Sequence, residues 1–367
     1  MIKTLNNPVS KDFVASVARA NSEFSLWQKR RHLLNTDDLS LPELSLELAL
    51  THYYKEHRLH SLPPLTTLSD CTVATLFYEN STRTRSSFDL AARKMGATVL
   101  HLDVKSSSVA KGESLLDTAM NLCAMGVNAI VMRHSQSGAP DELAEQANQV
   151  LARSKDPARV KNLAVINAGD GAKSHPSQGL LDLYTMLSEL ELLPFLDLSG
   201  KLQNPLQPHC LKGKKIAIIG DILHSRVARS NFWLLKNLGA EVHFAGPPSL
   251  LPQDFADKHP GAILHHSLKP AVSDADFIIT LRIQMERQEQ GLTASLDDYK
   301  EGFQVNHERI KWAAKTVKVL HPGPINRGIE ITESLADDEE YSRILSQVTN
   351  GVLTRMAVLT LLLFQHD

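Results

Sequence analysis

The chain has 367 residues, 39 Lys and Arg against 41 Asp and Glu, a formal net charge of -2, and 43% apolar and 22% charged residues. That length suits two domains with sizeable cores. The balanced charge argues against a bulk nucleic-acid binder, because affinity for a phosphate backbone needs clustered excess cations. Cys71, Cys123 and Cys210 are far apart and form no CxxC pair, which disfavours a disulfide framework or a thiolate zinc site and favours a reducing compartment. The first residues lack the apolar core of a signal peptide, and the apolar run 356–364 is about half the length that spans a bilayer. The cytoplasm is the expected location, with no membrane contact, so the acceptor-like Asn80-Ser81-Thr82 carries no weight as a glycosylation site.

Residues 1–30 show no strong period and read as an extension with a short helix near residues 12–20. Ser40 with Glu43 three residues on is a capping box, and Leu41, Leu44 and Leu48 continue it as one helical face. After Pro63-Pro64 the chain alternates. Strands are expected at 71–78, 97–103, 129–133 and 164–167, with helices at 81–95, 113–125, 140–153 and 178–193. Short β-branched runs between amphipathic helices indicate βαβ units and a parallel sheet. Residues 194–213, with three prolines and two glycines, read as a surface insertion. Alternation then resumes with strands at 215–219, 242–245, 277–281 and 316–320 and a helix at 227–238. A long final helix at about 341–364 completes an α/β fold: two domains, each a parallel β-sheet flanked by helices, joined by interdomain helices.

The densest chemistry is Ser81-Thr82-Arg83-Thr84-Arg85, where a strand gives way to a helix. A helix start offers free backbone N–H groups and the positive end of the dipole to an anion. Three hydroxyls and two guanidiniums add donors suited to phosphate, which outweighs the plainer reading of a Ser cap followed by solvated arginines. Arg133 ends the next strand but one; alone it reads equally well as a surface ion-pair partner. Asn167-Ala168-Gly169-Asp170-Gly171 leads to His175 and Gln178, which either face a cleft or merely cap a helix. Walker spacing is absent there, which disfavours ATP, and no GxGxxG follows the strand at 215–219, which disfavours a dinucleotide. Arg226 and Arg282 lie near two other strand ends and suit a ligand with two carboxylates, each met by a planar fork. His265-His266 and His209-Cys210 lack partners at zinc spacing, so no metal is expected.

Taken together, the runs FYENSTRTRSSFDLAARKMGA, KGESLLDTAMNL, VMRH, NAGDGAKSHPSQGLLDLYT, GDILHSRVARSN, LRIQMERQ, HPGPINRGIEI and NGVLTRMAV resemble the aspartate/ornithine carbamoyltransferase family over nearly the whole chain. NAGDG with HPSQ, LRIQ and HPGP resemble its aspartate branch, and the HCLP-type and S-M-G segments of the ornithine branch are missing. The resemblance implies transfer of the carbamoyl group of carbamoyl phosphate to the amine of L-aspartate, an early step of pyrimidine synthesis, without cofactor or metal. It implies that Ser81, Thr82, Arg83 and Thr84 hold the phosphate, with Arg83 compensating the leaving group. Arg133, His175 and Thr84 then meet the carbonyl oxygen, and Gln178 and the Pro322 carbonyl the amide nitrogen. Arg226, Arg282 and Gln284 take the aspartate carboxylates, and the Gly323-Pro324 turn lies near the amine. Lys111, with Ser107 or another serine of 106–108, matches a loop that the family inserts into a neighbouring subunit's site, implying a homotrimer with shared active sites. Residues 31–185 with 341–367 would bind carbamoyl phosphate and 186–340 aspartate.

The extension 1–30 and the stretch 194–213 exceed the family pattern and are expected to be solvent-exposed additions. A regulatory or dihydroorotase-type partner stays open. Two rival readings remain at this stage: a carbamoyltransferase for ornithine or another amine, and a silent homologue retained as an assembly partner. Arg282 and Gln284 weigh against a cationic substrate side chain, and the intact polar set weighs against silence.

Overall fold

The capping box at Ser40 starts the helix Leu41–Glu56, where the Glu43 carboxylate accepts from the Ser40 N–H at 3.0 Å. This helix is buried on nearly every side, so its apolar residues run all round it rather than along one stripe. The computed structural model describes residues 11–57, 64–102, 112–155, 162–283 and 296–365. The chain divides into two units: unit 1 comprises Met1–Leu180, Glu191–Leu206 and Thr349–Asp367, and unit 2 comprises Leu181–Leu190 and Gln207–Val348.

Unit 1 holds a four-stranded parallel sheet of β1 (Thr72–Phe77), β2 (Thr98–Leu102), β3 (Ala129–His134) and β4 (Ala164–Asp170), in the order β2-β1-β3-β4. The chain steps from β1 to β2 on one side, then crosses back to β3 on the other. The strand order therefore reverses between β1 and β3, the place where open parallel sheets leave a crevice at their carboxyl ends. Ala74, Leu76, Ile130, Met132 and Val165 pack beneath the helices Leu115–Ala124 and Ala139–Ala152 to form the core. A two-stranded hairpin, β5 (Phe195–Leu196) and β6 (Leu202–Gln203), lies in the expected insertion.

The described part of the extension, residues 11–30, is not a solvent-exposed addition. Residues 11–30 form two helices, Lys11–Ala20 and Ser22–Arg30, whose Val14, Val17, Phe24 and Trp27 are buried. Trp27 donates its indole N–H to the Glu43 carbonyl at 3.0 Å, and Arg30 pairs with the Glu43 carboxylate at 2.7 Å. Asn21, between the helices, donates to the Gly200 carbonyl at 2.8 Å and accepts from the Leu202 N–H at 2.8 Å. The two stretches that depart from the family pattern thus pack on each other. Of the insertion, Leu198 is exposed, while Leu196, Leu206 and Leu211 are buried.

Unit 2 holds a five-stranded parallel sheet of β7 (Lys215–Ile219), β8 (Glu241–Ala245), β9 (Ile263–His265), β10 (Phe277–Thr280) and β11 (Lys318–Leu320), in the order β11-β10-β7-β8-β9. Here the order reverses between β7 and β10. The core gathers Ala217, Ile219, Ile278 and Val319 with Val305, Ile310, Ile331 and Leu335. The helices Pro176–Glu189 and Ile344–Leu363 each have residues in both units. No described helix is long and apolar enough to cross a membrane.

Candidate active site

In unit 1 the candidate residues sit at the carboxyl ends of three adjacent strands. Ser81 is the N-cap of the helix Thr82–Lys94, which follows β1 and has no acidic residue in its first turn. Ser81, Thr82, Arg83, Thr84 and Arg85 are therefore at a helix start beside the β1/β3 reversal, where N–H groups and dipole favour an anion. Thr84 is buried and Arg83 exposed.

Arg133, the penultimate residue of β3, lies at an irregularity in the sheet. The register runs Met132 with Asn167 and then His134 with Asp170, so β4 carries one extra residue opposite Arg133. Such a bulge re-aims the side chain next to it. The Arg133 guanidinium donates to the Ala168 carbonyl at 3.2 Å and lies 3.4 Å from the Glu79 carboxylate. Both groups are largely shielded, so this pair fixes the guanidinium more firmly than an exposed pair would.

The Asn167–Gly171 turn is knitted by Asp170, which is fully buried. Its carboxylate accepts from Asn167 Nδ2 at 2.8 Å, the Ser174 N–H at 3.1 Å and the Gly138 N–H at 2.7 Å. Burial still pushes its pKa up, against the pull of these donors and of Lys173. Gly171 has φ +44, and a Cβ there would come within 2.2 Å of Ser137 Oγ and 2.9 Å of Ser137 N. A larger residue has no room, which is why glycine closes the turn. From it the chain reaches His175, whose carbonyl accepts from the Gln178 and Gly179 N–H groups at 3.0 and 3.2 Å. His175 and Gln178 are both buried at the start of the helix Pro176–Glu189.

In unit 2 the candidates follow β7, β10 and β11. Arg226, buried, is the first residue of the helix Arg226–Asn237, whose cap Ser225 accepts from the Ala228 N–H at 3.1 Å. Gly220, at the end of β7, has φ +128, and a Cβ there would stand 2.6 Å from the Leu281 carbonyl. Glycine lets the ends of β7 and β10 approach; Arg226 and the half-buried Arg282 follow these two neighbouring strands. Pro322, Gly323 and Pro324 follow β11; the Gly323-Pro324 peptide is cis and Gly323 has φ +64. Gln284, Ser107 and Lys111 lie outside the described residues.

Sequence reasoning passed over the shielded carboxylates that stand in and beside these segments. Glu79, Asp170 and Glu330 stand inside the quoted runs FYENSTRTR, NAGDG and HPGPINRGIE, and that adjacency was the only signal of them. Asp182, which accepts from Asn231 at 2.8 Å and from Gln347 at 2.7 Å, likewise stands inside the quoted run NAGDGAKSHPSQGLLDLYT and had no other signal. Among the described residues no group of three or more His, Cys, Asp or Glu is placed to hold a metal ion.

Each of the two parallel sheets thus carries its candidate residues at strand ends beside an order reversal, where open α/β sheets place their ligands. Residues 31–188 match the carbamoyl-P binding domain, and residues 212–362 the Asp/Orn binding domain, of the aspartate/ornithine carbamoyltransferases. A catalytic subunit of aspartate carbamoyltransferase from Acaryochloris marina is 47% identical over 335 residues, covering 91% of this chain and 96% of the relative. Its counterpart from Thermosynechococcus vestitus is 45% identical over 342 residues, covering 93% and 96%. Among solved structures, the aspartate transcarbamoylase of Trypanosoma cruzi in complex with carbamoyl aspartate and phosphate is 26% identical with a TM-score of 0.70, covering 90% of this chain and 94% of that one. The ornithine carbamoyltransferase from Pyrococcus furiosus, also 26% identical, has a TM-score of 0.73 and covers 92% and 98%. The chain belongs to the aspartate/ornithine carbamoyltransferase family.

Proposed function

We propose that this chain transfers the carbamoyl group of carbamoyl phosphate to the amine of L-aspartate, giving N-carbamoyl-L-aspartate and phosphate, in pyrimidine biosynthesis in the cytoplasm. The observation that carries this reading is the helix start at Ser81 beside the β1/β3 reversal, with Arg133 near the end of β3, next to His134. Identity of 45–47% to relatives named for aspartate supports the choice of amine. The domain with β1–β4 takes carbamoyl phosphate and the domain with β7–β11 takes aspartate.

In the reaction the amine attacks the carbonyl carbon, a C–N bond forms, and the C–O bond to phosphate breaks. Ser81, Thr82, Arg83 and Thr84 hold the phosphate, and Arg83 meets the charge that grows on it as it leaves. Arg133, His175 and Thr84 polarise the carbonyl oxygen and stabilise the tetrahedral oxyanion, the step at which prearranged donors have most leverage. Gln178 and the Pro322 carbonyl orient the amide nitrogen; Arg226, Arg282 and Gln284 take the two carboxylates, and the Gly323-Pro324 turn flanks the amine. The amine's proton passes to the departing phosphate, which as a dianion is a competent acceptor. Fixing two mutually repelling anions in reacting geometry supplies the remaining acceleration.

With carbamoyl phosphate saturating, the product assay is expected to show turnover with L-aspartate and little with L-ornithine; preference for ornithine would sink the assignment. We also place Lys111 and Ser107 in a neighbouring subunit's site within a homotrimer. Each of the inactive variants Lys111→Ala and Arg83→Ala then lacks a different half of every site. A mixed trimer contains one site with neither change, so equal mixing should restore about a quarter of wild-type activity by the arithmetic of a three-fold ring. No recovery after verified subunit exchange would exclude the shared site.

A further inference from the structure

We infer that Glu330, which no part of the reaction above uses, is the positioning residue that aims the Pro322 carbonyl and braces the Arg282 segment through one buried oxygen. The inference rests on the proposed roles of Pro322 and Arg282. Glu330 is fully buried, and its Oε1 lies 3.0 Å from His321 Nε2. The same Oε1 accepts the Asn326 N–H at 2.6 Å. The other ring nitrogen, His321 Nδ1, accepts the Gly323 N–H at 2.7 Å. A backbone N–H can only donate, so Nδ1 carries no proton. The ring's proton is therefore on Nε2 and is donated to Glu330.

That proton placement has a geometric consequence. The Pro322 carbonyl and the Gly323 N–H belong to one planar peptide and point in opposite directions along it. Tying the N–H to Nδ1 therefore sets where the Pro322 oxygen points. The turn has few other means of holding this direction, since two of its four residues are prolines without an N–H. The His321 N–H is bonded to Gln347 Oε1 at 2.9 Å. Without an acceptor at Nε2 the imidazole is free to shift its proton to Nδ1, which turns the acceptor for Gly323 into a donor and releases the peptide. The second arm runs through Asn326, whose Nδ2 donates to the Ile283 carbonyl at 3.2 Å, next in the chain to Arg282. One carboxylate thus sets both a carbonyl and the backbone beside a guanidinium.

The test is steady-state kinetics of Glu330→Ala, Glu330→Asp and Glu330→Gln with aspartate varied, together with the Kd for inorganic phosphate, which Ser81–Arg85 would hold independently of this turn. Glu330→Ala is expected to raise KM for aspartate and lower kcat/KM about tenfold or more, since it leaves a buried donor unsatisfied, with the phosphate Kd unchanged. Glutamine keeps a carbonyl oxygen able to accept both bonds, so Glu330→Gln should stay within about threefold of wild type. If Glu330→Ala does not fold, Glu330→Asp, whose carboxylate is withdrawn by one methylene, is judged by the same criteria. An unchanged aspartate KM, or a loss in kcat alone shared equally by Gln, Asp and Ala, overturns the inference. Arg282→Ala separates the two levels: a raised aspartate KM there with none in the Glu330 variants defeats the positioning role only. An unchanged KM in Arg282→Ala defeats the site assignment and the inference with it.

Discussion

Arg83→Ala is expected to lower kcat for carbamoyl transfer by about two to three orders of magnitude, the range found when one donor to a developing charge is removed. As the C–O bond breaks, negative charge builds on the departing phosphate until the amine's proton reaches it. A guanidinium in the first turn of the helix Thr82–Lys94 adds to the field of that helix start, and the helix contributes no first-turn carboxylate to cancel it. Because the charge grows along the reaction, the loss should fall mainly on kcat, with a smaller rise in KM for carbamoyl phosphate. The Arg83 side chain is exposed, so the melting temperature should barely move. Arg83→Lys should recover part of the rate, since it restores charge without the planar fork. Near-normal turnover of the alanine variant, measured alongside an unchanged melting curve, would remove Arg83 from the site.

The parts of the fold legible in the sequence were those with a local cause. β1, β3 and β7 came within a residue or two of their expected bounds because β-branched runs were bracketed by turn residues. The helix expected from 178 begins at Pro176, where a proline suits the first turn. β9, three residues long, and the four-residue helices Phe255–Lys258, His307–Ile310 and Glu333–Ala336 were not read, being too short to show a period. The extension misled for a different reason. Its apolar residues fall on two helices broken at Asn21, so a single window across them shows no common face, and the bond that docks Asn21 spans 179 residues of chain. The site divides the same way. Arg83, Arg133, His175 and Arg226 were visible as residue types near strand ends. The supports were not, because a carboxylate such as Asp170 or Glu330 acquires its role only from which N–H groups the turn brings to it.

Glu47→Gln is expected to abolish most of the loss of stability with rising pH that the native chain should show. Glu47 lies in the helix Leu41–Glu56, wholly buried, with its Oε1 accepting from the Thr51 hydroxyl at 2.9 Å and no hydrogen-bond partner for Oε2 among the described residues. Burial raises its pKa from 4.5 to about 8, against a small pull downward from Thr51. The folded chain therefore holds this proton at neutral pH while the unfolded chain releases it near its ordinary value. A raised folded pKa gives stability that is complete below pH 4.5 and declines as pH climbs through about 8. Between those limits the slope is about 1.4 kcal/mol per pH unit, or ~4 kcal/mol from pH 5 to pH 8 for this group, a large share of the 5–15 kcal/mol typical of a domain. Glutamine keeps the acceptor for Thr51 and cannot ionise, so the variant should be more stable than native at pH 8 and no better, or slightly worse, at pH 5, where two amide hydrogens replace one acid proton. Urea unfolding of both proteins at fixed chain concentration across pH 5 to 8 reads this directly. Parallel curves for the two would mean that Glu47 is already ionised in the folded chain at pH 5.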